Sequence, residues 1–371
     1  MPRPVVYFSP IPWRGLYQRP QHMCRFLAQD RQVLFVEPKT LSSSEAPDAI
    51  ENLDFLTLPV FPFNAKNPLI RAMAFLAGSL PPLRFLLERV QARRLRRALK
   101  SRHLNLPVFL FGHPEMQGLR KHFPGTPHAY DHMDDVLQFG RVSTSLRRDF
   151  QEMIRDASFV VCTSEELEAQ IRLAGGDPIL RIGNGVEWER FAESWKLPEP
   201  LALTAIPVPR VIYTGSVAEW FDFDLLYETA RLIPEMSFVI VGPLRPALEK
   251  RKKQAPENIH FQGAKPYLEL PAWLGHSDLA IIPFQCIPLT RAVDPVKLHE
   301  YSAAGLAVVA TPFSHEIQSG GVRTAKNAEE FAGAIKEVLK QARDPEALRR
   351  KARKKSWERL LEPLDRALDD F

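Results

Sequence analysis

Leu279-Ala280-Ile281-Ile282-Pro283, Asp294-Pro295-Val296-Lys297-Leu298-His299-Glu300-Tyr301-Ser302-Ala303-Ala304-Gly305 and Ala307-Val308-Val309-Ala310 follow one another closely. The first and last pieces are short continuous apolar runs of the kind found in buried parallel strands. Between them the composition predicts a helix over Pro295–Ala304. Asp294 is expected to cap it, Pro295 suits its first position, and Gly305 is expected to end it. A strand, a helix and a second strand in this order make one βα repeat of a parallel sheet.

The same alternation continues in both directions. Upstream, strands are expected at Val211–Tyr213, Phe238–Val241 and Ile259–Phe261, with helices at Leu225–Leu232, Ala247–Gln254 and Leu268–Leu274. Downstream lies a helix at Ala328–Gln341. Between Glu187 and Pro209 the chain has four prolines and no periodicity, which marks a junction. Before it stand a second set of apolar runs: Val5–Phe8, Val33–Val36, Phe55–Leu58, Val108–Phe111, His128–Tyr130, Phe159–Cys162 and Leu180–Ile182. Helices are expected at Gln21–Ala28, Ser143–Asp156 and Glu165–Leu173, the last capped by Ser164. The expectation is an α/β protein of two Rossmann-like lobes. They comprise residues 1–186 and 210–345, joined by 187–209, with a helical extension over 346–371 returning to lobe one. A length of 371 residues suits two cores.

Composition narrows the class. The chain is 45% hydrophobic and 25% charged, as folded proteins are. Cys24, Cys162 and Cys286 form no C-x-x-C pair, so neither a disulfide framework nor a zinc knuckle is expected. No signal peptide or membrane span is legible, which suggests a cytoplasmic protein. G-x-G-x-x-G, the P-loop and G-x-S-x-G are missing, which argues against dehydrogenases, kinases and hydrolases. Asp222-Phe223-Asp224 has the spacing of a metal-binding D-x-D, but it stands at a helix entrance where aspartates cap. No metal site and no resident cofactor are expected.

Ligands of open parallel sheets bind beyond the carboxyl ends of the strands. A helix starting there presents free N–H groups and a positive dipole to a phosphate. Lys297 and Glu300 share a face of such a helix. One cation at its start and one carboxylate a turn later suit a diphosphate and a ribose. The same two residues read equally well, taken alone, as an i,i+3 salt bridge on a solvated helix.

The run Gly183-Asn184-Gly185-Val186-Glu187, Gly242-Pro243 after a strand, and Lys297 to Gly305 together resemble retaining family 4 glycosyltransferases of the GT-B fold. Gln18-Arg19-Pro20-Gln21-His22, Tyr130-Asp131-His132-Met133-Asp134-Asp135 and Glu219-Trp220-Phe221-Asp222 extend the resemblance over nearly the whole chain, towards the subgroup of cell-envelope and exopolysaccharide assembly. The resemblance implies a nucleotide-sugar donor, UDP- or GDP-linked, in a central cleft, and transfer to a glycan or lipid-linked acceptor. It places Glu300 on the ribose and Val296, Gly215, Ser216 and Gly242 at the donor, with the base near Gly263. The family's first glutamate falls on Ala292. The loop Gly215–Phe221 lacks the family's diphosphate cations, so Lys297 and Arg291 are expected to replace them, helped by Arg14 or Arg19. Retention in this family needs no protein nucleophile. The alternative is a degenerate scaffold that binds nucleotide, glycan or a partner enzyme without turnover.

In lobe one, Arg14, Gly15 and Arg19 follow the first strand, as cleft-facing groups or as an ordinary surface loop. His113 and Asp131 fall at strand ends. His113 is read as orienting a hydroxyl, or as a turn residue. Asp131 is read as a proton acceptor whose pKa Asp134 and Asp135 raise. Between Arg84 and Arg102 stand eight basic residues and one acid, Glu88. Leu83, Leu86, Leu87 and Val90, then Leu95, Ala98 and Leu99, line the helix Leu83–Lys100. It is expected either to pack on the sheet or to lie on an anionic membrane surface. No nucleic-acid module accompanies the charge.

Overall fold

The computed structural model describes residues 2–14, 16–39, 49–60, 67–139, 142–341 and 344–371. The chain forms two compact units. One takes Met1–Thr163, Leu167–Ile182 and Leu361–Phe371; the other takes Ser164–Glu166 and Gly183–Leu360.

The first unit holds a parallel sheet of β1 (Val5–Phe8), β2 (Val33–Pro38), β3 (Leu53–Leu58), β4 (Val108–Phe111), β5 (His128–His132), β6 (Val160–Cys162) and β7 (Ile179–Arg181). Their order is β3-β2-β1-β4-β5-β6-β7. β1, β4 and β6 are buried along their whole length, which is why these segments read as unbroken apolar runs. Strand order reverses between β1 and β4, so the loops after Phe8 and Phe111 flank the switch point where such sheets take ligands. The chain's last residues complete this unit. Leu361, Leu364 and Leu368 are buried, Phe371 stacks on Phe159 at 5.6 Å, and Arg31 pairs with Asp365 and Asp369.

The second unit repeats the plan with β8 (Arg210–Thr214), β9 (Ser237–Val241), β10 (Ile259–Gly263), β11 (Leu279–Ile282), β12 (Val308–Ala310) and β13 (Arg323–Thr324). The order is β10-β9-β8-β11-β12-β13, all parallel, with the reversal between β8 and β11. β8 and β11 pair only through Leu279↔Val211 and Ala280↔Ile212. Beyond that the ladder stops, and the Thr214 N–H is satisfied instead by the Tyr301 hydroxyl at 2.7 Å. Tyr301 thereby ties the helix Val296–Ala304 to the end of β8.

Local departures from the sequence reading have simple causes. β13 is two residues long and polar, below the length at which an apolar run can be recognised. The segment 187–209 contains short helices at Trp188–Ala192, Ser194–Lys196 and Leu201–Thr204. Asp222 caps its helix as expected, accepting from Leu225 N at 3.0 Å. Ser164, at the entrance of Glu165–Leu173, also reaches a distant segment. Its hydroxyl donates to the Ala292 carbonyl at 2.8 Å.

Candidate functional site

In the second unit the site is built around two glycines at the ends of adjacent strands. Gly215, after β8, has φ +127°, and Gly242, after β9, has φ +149°, both outside the range comfortable for side chains. A Cβ on Gly242 would lie 1.9 Å from the Gly215 carbonyl oxygen, and one on Gly215 would lie 3.0 Å from Lys297 Cε. The missing side chains are thus what lets the two loops close on each other and lets the lysine stem pass. Backbone bonds fix the loops: Gly215 N to Val241 O at 2.9 Å, Val217 N to Pro243 O at 2.9 Å and Gly242 N to Gly263 O at 2.8 Å. Tyr213 adds a bond from its hydroxyl to the Ser216 carbonyl at 2.8 Å.

Lys297 lies in the first turn of the helix Val296–Ala304. Its ammonium sits over two rings, 4.8 Å from the centre of Phe284 and 5.6 Å from that of Tyr213. Such cation–π contacts hold a charge that has lost part of its water. The residual cost shows in the pKa, which burial lowers to about 8, with Glu300 opposing. Glu300 is 6% exposed. Burial raises its pKa to about 7, against the pull of Lys297 and the nearby Tyr267 hydroxyl, while Glu187 pushes it further up. Lys297 and Glu300 form no ion pair with each other within 4.0 Å, so the solvated salt bridge is not what the chain builds. Both groups are instead turned into the unit, each at some cost in free energy.

The helix start differs from the expectation. It begins at Val296, with Pro295 at the cap position and no side-chain cap. Asp294 is occupied elsewhere: its carboxylate accepts from the Asn184 backbone N–H at 2.7 Å, and its carbonyl accepts from Asn184 Nδ2 at 2.6 Å. His299 Nε2 lies 3.4 Å from its other oxygen. The helix dipole and the first N–H groups are therefore left without a capping carboxylate, which is the condition an incoming anion needs. Gly305, with φ +84°, ends the helix as expected. Asn184, quoted above only for a resemblance, has here a mechanical role. Asn184→Ala removes one of its bonds to a buried segment, and a loss of roughly 1–2 kcal/mol in urea unfolding is expected.

The remaining donor-side positions are distributed unequally. Val296 supplies a first-turn N–H and Ser216 a loop carbonyl already bonded to Tyr213. Arg291 ends the short helix Pro288–Arg291 and is exposed. Of the two cations expected at the diphosphate, only Lys297 is enclosed by this unit's own atoms. Ala292, where the resemblance leads one to expect a glutamate, is buried, 1% exposed. Arg14 is exposed in the first unit, and Gly15 lies outside the described residues.

In the first unit, Arg19 and Asp131 are brought together, a pairing that the sequence reading did not include. Arg19 is 2% exposed and Asp131 fully buried. Arg19 Nε donates to Asp131 Oδ1 at 2.9 Å and to Oδ2 at 3.2 Å, and the Tyr7 hydroxyl donates to Oδ2 at 3.1 Å. A carboxylate so held ties together β1, β5 and the start of the helix Arg19–Leu27. The neighbouring Asp134 has its pKa raised to about 7 by burial and by Asp131, with Arg19 opposing. His113 follows β4, and its Nδ1 accepts from the Glu115 N–H at 3.2 Å. Burial lowers its pKa to about 4. The ring is neutral with its proton on Nε2, so it can offer a hydrogen bond but not take a proton there. Among the described residues no group of three or more His, Cys, Asp or Glu side chains could hold a metal ion.

Sequence reasoning missed Tyr213, Phe284, Tyr267 and Asn184. Each supports Lys297, Glu300 or the helix start from another element. Tyr301 alone had a local signal, since it adjoins Glu300.

Residues 208–341 match the family described as "Glycosyl transferases group 1". A protein of Bacillus subtilis (strain 168) named as the teichuronic acid biosynthesis glycosyltransferase TuaH is 27% identical over 218 residues. That match covers 55% of this chain and 55% of the relative, so the chain spans about half the length of the curated relative it matches. Among solved structures, sucrose-phosphate synthase from Thermosynechococcus elongatus is similar with TM-score 0.70 and 16% identity, over 99% of this chain and 98% of that one. An Escherichia coli trehalose-6-phosphate protein bound with UDP-2-fluoro glucose gives TM-score 0.73 and 10% identity, over 99% of each chain. Anabaena HepE in complex with UDP and glucose gives 0.70 and 12%, over 99% of each. At these identities the likeness is one of fold. Residues 208–341 are thus similar to the glycosyl transferase group 1 family, and the chain's two Rossmann-like α/β domains match structures of the GT-B fold.

Proposed function

We propose that the protein is a glycosyltransferase that takes a sugar from a nucleotide-diphosphate donor and passes it to a glycan or lipid-linked acceptor. The observation that carries this reading is the Lys297 ammonium beside the Gly215–Gly242 contact, at an uncapped helix start, with Glu300 buried one turn on and not paired to it. A diphosphate would complete all three: it pairs with the lysine's charge, caps the helix and leaves the carboxylate to accept from ribose hydroxyls. Solved relatives in fold that hold UDP or a UDP-sugar support that donor class. The relative named for teichuronic acid synthesis supports an envelope polymer as the pathway.

In this reading the reaction retains configuration. The departing diphosphate's charge is stabilised by Lys297 and the helix dipole, with no resident metal or cofactor invoked. His113, through Nε2–H, orients a sugar or acceptor hydroxyl. Three free thiols agree with a reducing, cytoplasmic setting. His113→Ala is expected to lower kcat roughly 10- to 100-fold with UDP affinity unchanged within a factor of two or so.

One observation favours a second reading, a scaffold without turnover. Position 292 carries a buried Ala whose carbonyl is held by Ser164, where the family's first glutamate is expected. Incubation with UDP- and GDP-sugars, following nucleotide release with and without membrane-extracted acceptors, separates the two. Release supports the transferase. Binding without release supports the scaffold, and no binding removes the transferase and any nucleotide-binding scaffold.

A further inference from the structure

The first unit carries two consecutive helices, Pro68–Ser79 and Pro81–Ser101, whose outer faces are not those of ordinary surface helices. On the first, Leu69, Met73 and Leu76 recur at i, i+4 and i+7, and Leu80 lies in the extended junction before the second helix. Their exposures are 68%, 62%, 65% and 42%. On the second, the buried side is Gln91, Ala92, Leu95 and Ala98. The opposite side begins with Leu83, Leu86 and Val90, which are 43%, 60% and 40% exposed. At the same helical spacing it continues with Arg93, Arg94 and Arg97, all exposed. The packing expected from the periodicity is therefore found only in the second half of this helix; in its first half the apolar row faces outward. The one acid of the helix, Glu88, is half-buried and bonded to Arg84, so it does not offset the cations.

We propose that these two helices form a docking surface for an anionic lipid bilayer, with the leucine and methionine rows entering the acyl boundary and Arg93, Arg94 and Arg97 among the headgroup phosphates. Exposed apolar rows of this length are rare on soluble monomers and mark an interaction surface. Their occupant is indicated by what adjoins them. An apolar row that passes into a cationic one along a single helix matches the two layers of a bilayer leaflet, hydrocarbon below and negative charge above. Nucleic acid offers phosphates but nothing for the leucine row. No helix among the described residues is long and apolar enough to cross a membrane, so the contact would be peripheral. The proposal rests on this surface alone and stands or falls independently of donor chemistry.

Flotation of the full chain with vesicles tests it. The protein should co-float with phosphatidylcholine vesicles containing phosphatidylglycerol, weakly with phosphatidylcholine alone, and less as salt is added. Arg93→Glu with Arg97→Glu should lower partitioning into the mixed vesicles by about 30-fold or more. Leu76→Glu with Leu86→Glu should lower it on both kinds of vesicle. Leu173→Glu, at an apolar side chain 90% exposed on another helix, should change nothing. Unaltered thermal unfolding of each variant excludes misfolding. Failure of the wild type to float with mixed vesicles overturns the proposal, as does flotation insensitive to the leucine and arginine changes. A dimer in sedimentation that Leu76→Glu with Leu86→Glu dissolves would assign the face to a second copy instead, and would also overturn it.

Discussion

Lys297→Met should weaken UDP binding roughly 30- to 100-fold in calorimetry while leaving the affinity for uridine nearly unchanged. Methionine keeps an apolar stem against Phe284 and Tyr213 and removes only the charge. The difference between the two ligands isolates the diphosphate, because uridine presents the same base and ribose without it. The pH dependence should change as well. In the free protein the ammonium's pKa is lowered to about 8 by burial, so the wild-type site is charged below that value and loses its charge above it. An anion favours the charged form, so UDP binding should take up protons near pH 8 and weaken at higher pH. In Lys297→Met that alkaline decline should disappear.

Glu300→Gln should do two opposite things: weaken binding of the nucleotide and stabilise the free protein. Glu300 has a pKa raised to about 7, chiefly by burial. A carboxyl whose folded pKa lies above its unfolded value binds more protons when folded. Its stabilising contribution is complete below the unfolded value of about 4.5 and is lost as pH rises through about 7. Glutamine carries no charge to desolvate. The stability of Glu300→Gln relative to wild type should therefore be near zero at pH 4, grow between about pH 4.5 and 7, and level off at on the order of 2–3 kcal/mol. Urea unfolding at pH 4 and pH 8 reads this difference. A stability gain that coincides with a loss of UDP affinity is expected of a group kept for binding rather than for folding. If the variant is instead destabilised at pH 8, the carboxylate has a structural partner and the binding role is mistaken.

Most of the fold was legible because parallel strands buried on both faces leave unmistakable apolar runs. Val108–Phe111 and Val5–Phe8 were found to the residue, and the helix ending at Gly305 was recognised from its left-handed terminus. The polar strand Arg323–Thr324 was not, since two residues carry no period.

The candidate site was legible only as far as local spacing reaches. Lys297 and Glu300 stood out from their neighbours, whereas the rings under the ammonium come from β8 and from the loop after β11. Asp294 was read as a cap because caps are local. What competes for it is Asn184, a partner 110 residues away, and a buried carboxylate goes to whichever donors the fold brings closest. The pairing of Asp131 was illegible for the same reason. Its aspartate neighbours are visible in sequence, while Arg19, 112 residues away, is not. The exposed row Leu83–Val90 shows the limit of periodicity itself: an amphipathic pattern marks an apolar face without saying whether protein covers it.

A crystal structure of the protein with UDP tests the central claim most directly. The account predicts the diphosphate at the amino end of the helix Val296–Ala304, within hydrogen-bonding distance of the Val296 and Lys297 N–H groups and the Lys297 ammonium, with the ribose hydroxyls on Glu300. A nucleotide bound elsewhere, with Lys297 still resting on Phe284 and Glu300 untouched, would contradict it.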